Sequence, residues 1–248
     1  MMKVAVTSFS GNVGKTTIAR HCLLPRIRGA ELICVESINA DEGQGQALRG
    51  RQFAELQEYL QTVDAVVVDI GASNVEDLLS LMRRYRGSHE DFDYFVVPTV
   101  PALKQQQDTI ATLVELAHLG VPAEKVRLVF NMLDDDVQPL QAFDTVLAFL
   151  AEHPIAQADP GCCLGTNEIY SRVKGLNSEL AALAADETDY KALIAKATST
   201  EEKLALAQKL ATRRLASGVV PELDACFAAL RLGAAAVPVA RPMARKPT

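Results

Sequence analysis

Residues Gly11 to Thr17 read GNVGKTT, between a short apolar run, Val4-Ala-Val-Thr-Ser, and a helical pattern that begins Thr16-Thr-Ile-Ala-Arg. A loop in this setting turns its backbone N–H groups toward phosphate oxygens, and the helix N-terminus behind it adds partial positive charge. Lys15 then neutralises the outer phosphates, and Thr16 offers a hydroxyl to Mg²⁺. The strict pattern GxxxxGK[ST] needs a glycine where this chain has Phe9. Recognition therefore rests on the order strand, loop, helix, and the competing reading is a plain glycine turn before a helix.

The rest of the chain repeats that alternation. Apolar runs at Val4–Thr7, Leu32–Val35, Ala65–Ile70, Tyr94–Val97 and Val126–Phe130 predict strands, and Ile155 marks a shorter last one. Helical patterns fall between them at Lys15–Leu24, Gln46–Gln61, Val75–Arg86, Leu103–Leu119 and Leu140–Glu152. This is the signature of βα units feeding a mostly parallel, doubly wound sheet flanked by helices. From Thr166 to Leu232, Ala, Leu, Glu and Lys dominate, which predicts a helical C-terminal part. There Ser199-Thr-Glu-Glu202 fits a capping box and Gly218 a helix stop, giving a helix of roughly four to five turns. Residues 1–232 are expected to form a single domain, with the Ala/Pro/Arg/Lys stretch 233–248 as a tail without packed structure.

The loop Ser10-Gly-Asn-Val-Gly-Lys-Thr-Thr17 resembles the ParA/MinD family of deviant Walker ATPases, whose hallmark is KGGxGK[ST][ST] directly after the first strand. The closest look is to StbB-type plasmid-stability proteins. The resemblance spans roughly residues 1–195 and implies a Mg-ATP-dependent switch in which nucleotide state controls dimerisation. It implies that Ser10, Gly11, Asn12, Val13, Gly14, Lys15, Thr16 and Thr17 cradle the nucleotide. Asp69, closing Ala-Val-Val-Val-Asp, is the carboxylate that holds Mg²⁺ with Thr16, directly or through its water shell. The resemblance further implies that the backbone of Gly71 senses the γ-phosphate, the alternative being an ordinary β-to-α turn, and that Asn131 at the end of the fifth strand contacts the base, the alternative being a turn asparagine. Pro98 and Pro101 are expected near the nucleotide or a dimer face, or equally as helix-entry prolines. Asn131-Met-Leu-Asp134 faintly echoes the guanine-reading NKxD element, but methionine replaces its lysine, which favours adenine.

Two departures bear on the chemistry. The signature lysine that reaches across a nucleotide-sandwich dimer is replaced by Ser10, which hydrogen-bonds phosphate without neutralising it. In the second-strand acidic pair, Glu36 matches the first member, but the water-positioning second member falls on Ile38, with Asp41 and Glu42 in the adjoining loop as the alternatives. Asn12 replaces a loop glycine tolerably, because asparagine visits positive φ. Lys15, Asp69 and Glu36 are thus the candidate catalytic residues of a slow or partner-stimulated ATPase. The alternatives are a nucleotide-gated binding module that never hydrolyses and a small-molecule kinase or ligase on a similar core.

The net charge of −6 and pI near 5.3 argue against bulk nucleic-acid coating, not against a local basic surface. Lys203, Lys209, Arg213 and Arg214 are spaced to form a basic stripe on the helix after Ser199, suited to non-specific DNA contact alongside a plasmid-encoded DNA-binding partner. A solvated face is the alternative. The alanine- and proline-rich C-terminus disfavours membrane attachment, and no apolar run is of spanning length. The cysteines Cys22, Cys34, Cys162, Cys163 and Cys226 lack metal-site spacing and read as reduced, mostly buried thiols. His21, His89, His118 and His153 share no spacing. With no signal-peptide pattern at the N-terminus, a cytoplasmic protein is the expectation.

Overall fold

The computed structural model describes residues 1–35, 50–134, 136–175 and 179–233. Six parallel strands form one sheet in the order β2-β3-β1-β4-β5-β6: β1 (Met2–Val6), β2 (Glu31–Val35), β3 (Ala65–Ile70), β4 (Tyr94–Thr99), β5 (Val126–Leu133) and β6 (Cys163–Gly165). From the central β1 the chain runs out to edge strand β2, whereas from β4 it runs to the opposite edge. Such a reversal leaves a crevice at the carboxyl ends of the strands.

The β3 run is buried throughout, and its side chains alternate between two cores. Val66, Val68 and Ile70 pack on one face with α2 (Gly50–Thr62), α3 (Val75–Arg84), α4 (Leu103–Leu119) and α6 (Asp144–Glu152). Ala65 and Val67 join the other face, with the helix behind the glycine loop and α10 (Thr200–Leu230). Asp69, two residues beyond Val67, follows the same alternation toward the second face. Its register partner is Val6, the last residue of β1.

The helix after the loop starts as α1 (Lys15–Thr17), widens to a π-type turn over Ile18–Leu23, and tightens at Leu24–Arg26. The Arg26 guanidinium donates to the carbonyls of His21 and Cys22 at 2.7 and 3.1 Å, satisfying a helix end with no regular partners. The predicted Leu140–Glu152 helix is two pieces, α5 (Pro139–Ala142) and α6, because Phe143 turns inward against Phe130, ring centroids 4.8 Å apart. Two short helices, α7 (Ile169–Arg172) and α8 (Leu180–Ala184), and α9 (Tyr190–Lys196) precede α10.

Two expectations need correction. The last strand is Cys163–Gly165, not at Ile155. The chain near Ile155 makes a single bridge, Gln157 to Arg127, before Asp159 folds it into a turn by accepting from the Gly161 and Cys162 N–H groups. Prolines at 154 and 160 supply no ladder donor there. Nor does Gly218 stop a helix: α10 runs 31 residues through both Gly218 and Pro221. The capping box does form, with Ser199 Oγ accepting from Glu202 N–H at 3.1 Å. Continuous burial of Ala216, Val219, Leu223, Cys226 and Leu230 outweighs the roughly 1 kcal/mol that glycine costs inside a helix. Leu223→Ala is expected to destabilise the chain by about 2–5 kcal/mol in urea denaturation, because it empties part of the core between α10 and the helix behind the loop. Among the described residues no helix is long and apolar enough to cross a membrane.

Candidate phosphate-binding site

β1 ends at Val6, and the following Thr7, Ser8 and Ser10 are buried, so the chain enters the loop inside the protein. The loop closes through two residues at positive φ, Asn12 at 56° and Gly14 at 86°. Asparagine tolerates that region; at Gly14 only glycine fits, since a Cβ would stand 2.2 Å from Asn131 Nδ2. Asn131, itself buried, donates from Nδ2 to the Val13 carbonyl at 2.8 Å, so the end of β5 braces the loop from beneath. Val13 anchors the loop's apolar side at no exposure, while Gly11, Asn12 and Thr16 face solvent and Thr17 is half-buried.

The Lys15 ammonium lies inside this turn, donating to the Ser10 carbonyl at 2.6 Å and the Ser8 carbonyl at 3.3 Å. Burial lowers its pKa, and the charge of Asp69 partly opposes that shift. The ammonium is therefore a desolvated cation held on neutral carbonyls, a state that phosphate oxygens stabilise more strongly. Thr16 Oγ1 donates to Asp69 Oδ2 at 2.6 Å. A hydroxyl and a carboxylate so joined form a hard-oxygen pair of the kind Mg²⁺ takes.

Gly71 differs from its expected role. Its N–H donates to the Val35 carbonyl at 3.1 Å, which also accepts from Asn74 Nδ2 at 3.1 Å. Contact with a γ-phosphate requires that the first of these bonds break. Glu36, Ile38, Asp41 and Glu42 lie outside the described residues, although β2 delivers the chain to them at the same end of the sheet. Pro98 is buried within β4, paired in register with Val129, and Pro101 stands just before α4.

The loop forms one wall of an open cleft of about 880 Å³, which Arg20, His21, Tyr170 and Lys174 also line. None of these four stands out in the sequence as a group, because α7 and the helix behind the loop meet only in the fold. The His21 and Tyr170 rings lie 5.8 Å apart, and burial, then the neighbouring Arg20, lowers the His21 pKa. A cleft this size, with a basic rim beside the glycine loop and Lys15, suits a nucleotide-sized anion.

The basic stripe does not form as expected. Arg213 folds back, donating to the carbonyls of Asp186 and Thr188 at 3.0 and 2.6 Å and lying over the Tyr190 ring. Lys203, Lys209 and Arg214 remain exposed. On a helix of 3.6 residues per turn, Lys203 and Arg214 share a face and Lys209 sits about 120° away. The reason is tertiary: the turn before α9 brings the carbonyls of Asp186 and Thr188, more than twenty positions earlier, within reach of the Arg213 guanidinium. Cys22, Cys162 and Cys226 are buried, Cys163 is half-buried and Cys34 is exposed.

Sheet order, loop and strand-end carboxylate together define a P-loop α/β domain with a helical C-terminal part. No protein-family model matches the chain, and no curated protein matches it. Among solved structures the chain is similar to the MinD cell division protein of Aquifex aeolicus, with a TM-score of 0.50 and 12% identity over 88% of this chain and 98% of that one. Apo McdA from Cyanothece aligns with a TM-score of 0.48 and 14% identity over 85% of this chain and 99% of that one. A plasmid partition protein from Borrelia burgdorferi B31 bound to AMPPNP aligns at 0.46 and 13% identity over 84% and 98%. The alignment with MinD shows a shared P-loop α/β fold.

Proposed function

We propose that this chain is a Mg-ATP-binding switch of the ParA/MinD type, with slow or partner-stimulated hydrolysis and nucleotide-dependent dimerisation, acting in plasmid stability or partition or in DNA positioning. Residues 1–232 act as one domain in this reading, and StbB-type plasmid-stability proteins are its nearest functional counterpart. The observation that carries it is the buried Lys15 ammonium inside a loop that Asn131 braces, beside the Thr16–Asp69 pair. Ser10 to Thr17 wrap the phosphates, Lys15 leaves its carbonyls for the outer ones, and Thr16 and Asp69 would hold Mg²⁺. When bound, the cation offsets charge on the β- and γ-phosphates. With Nδ2 committed to the loop, Asn131 offers a base its Oδ1, an acceptor suited to the adenine amino group.

The absence of a lysine at Ser10 favours slow turnover, since a cation aimed at the transferring phosphoryl group is worth orders of magnitude in rate. Glu36 is the remaining family carboxylate near the attacking water. Lys203, Lys209 and Arg214 are the residues available for non-specific DNA contact. Phosphate release from Mg-ATP is expected to be slow for the chain alone and to rise with DNA or a DNA-binding partner. Asp69→Asn is expected to lower the stimulated rate by at least about 100-fold, an effect set by the electrostatic share of such transition states. No release under any of these conditions, with ATP still bound, favours the non-hydrolysing switch.

A further inference from the structure

Phe9 and Ser10 are the residues at which the loop departs from the usual pattern, and α4 holds both. The Phe9 N–H donates to Thr112 Oγ1 at 3.1 Å, and Ser10 Oγ donates to Asp108 Oδ2 at 2.5 Å. Asp108 and Thr112 are four residues apart and so present on one face of the helix. Thr112 Oγ1 in turn donates to the Asp108 carbonyl at 2.8 Å, which leaves its lone pairs for Phe9. Ser10 is only 5% exposed. On its other side its carbonyl receives the Lys15 ammonium. One residue thus joins a carboxylate on α4 to the cation of the phosphate site.

We propose that Asp108, acting through Ser10, is a positioning residue that sets Lys15 for the outermost phosphate and so tunes the preference for a nucleoside triphosphate over a diphosphate. The proposal rests on the nucleotide reading of the loop. A hydrogen bond to a carboxylate is among the stronger ones a serine makes, and this one fixes the residue whose carbonyl holds Lys15. Without it the Ser10 carbonyl no longer holds the ammonium in place beforehand, so Lys15 must be ordered at the moment it leaves that carbonyl for phosphate. That cost falls on the triphosphate, because the γ-phosphate is the group the diphosphate lacks. The α4 helix carries no other polar tie to the loop among the described residues beyond the Phe9–Thr112 bond, so the two side chains form a single clamp.

The test is calorimetric titration of Mg-ATP and Mg-ADP into the full chain carrying Asp108→Ala, Asp108→Asn, Ser10→Ala or Ser10→Ala with Asp108→Ala. The unliganded melting temperature is recorded for each variant to show that it folds. Both single alanine variants are expected to weaken ATP about 5- to 10-fold and ADP less than about 2-fold, below the roughly tenfold or more that a charge-assisted hydrogen bond is worth in full, because the bond acts on the nucleotide only through the placement of Lys15. The double variant should be no weaker than either single one. Asp108→Asn, whose Oδ1 still accepts from Ser10, should recover most of the ATP affinity. An unchanged ATP-to-ADP ratio in folded single variants, or losses that add in the double, overturns the clamp and leaves the nucleotide reading standing. A wild-type chain that binds neither nucleotide overturns both.

Discussion

Replacing Lys15 by alanine is expected to weaken Mg-ATP binding by about 100-fold or more while leaving the fold intact. The ammonium now makes two hydrogen bonds to loop carbonyls from a site that burial makes costly for a charge. Phosphate oxygens exchange those neutral acceptors for charged ones, and a hydrogen bond to a charged group is worth about 1.5–3 kcal/mol. Two such bonds give the stated loss, at 1.4 kcal/mol per factor of ten. In the free protein the same substitution removes a desolvated cation, so its melting temperature should fall little or rise. Equal ATP affinities for wild type and variant, measured by titration, would show that Lys15 does not meet phosphate.

Gly14→Ala is expected to damage the site by a different route. The new Cβ must occupy a left-handed backbone position and stand 2.2 Å from Asn131 Nδ2. Strain of about 1–3 kcal/mol for a non-glycine residue in that region adds to the cost of displacing a buried amide from the Val13 carbonyl, about 1–3 kcal/mol. The sum, about 2–6 kcal/mol, falls on the segment that must present its N–H groups in one direction. Nucleotide binding should therefore be lost in a chain that melts several degrees lower. Asn131→Ala removes the same brace and the obstacle together, so a Gly14→Ala/Asn131→Ala double variant should be less unstable than the sum of the two. Simple additivity would show that the contact is not what restricts residue 14.

These two effects come from residues the sequence singles out, and the reason is that phosphate chemistry is local. The strand, the glycine loop and Lys15–Thr16 are contiguous, and the Asp69 run alternates faces so that the carboxylate falls beside α1 without further information. The five runs read as strands are likewise contiguous apolar segments, and each appears in the sheet. What escaped is non-local. The length of α10 depends on a core that its second half shares with the helix behind the loop, against the local signals of Gly218 and Pro221. Arg213 reads as part of a stripe until the turn before α9 claims its guanidinium. Asp108 and Thr112 carry no motif, and only the fold brings them within reach of Phe9 and Ser10, some 100 positions earlier. Gly71 looks like a free sensing turn in sequence because its partner, the Val35 carbonyl, belongs to the neighbouring strand.

The central claim is that this loop binds a nucleoside triphosphate, and the direct measurement is the melting temperature of the chain with and without Mg-ATP, with Lys15→Ala as control. Ligand that binds only the native state stabilises it by about 2.7 kcal/mol at a concentration 100 times its Kd, which for a domain of this size is a rise of several degrees. The account predicts that rise with Mg-ATP in the wild type and its loss in the Lys15→Ala variant. No rise with ATP, GTP or their diphosphates, or an equal rise in wild type and variant, would contradict it.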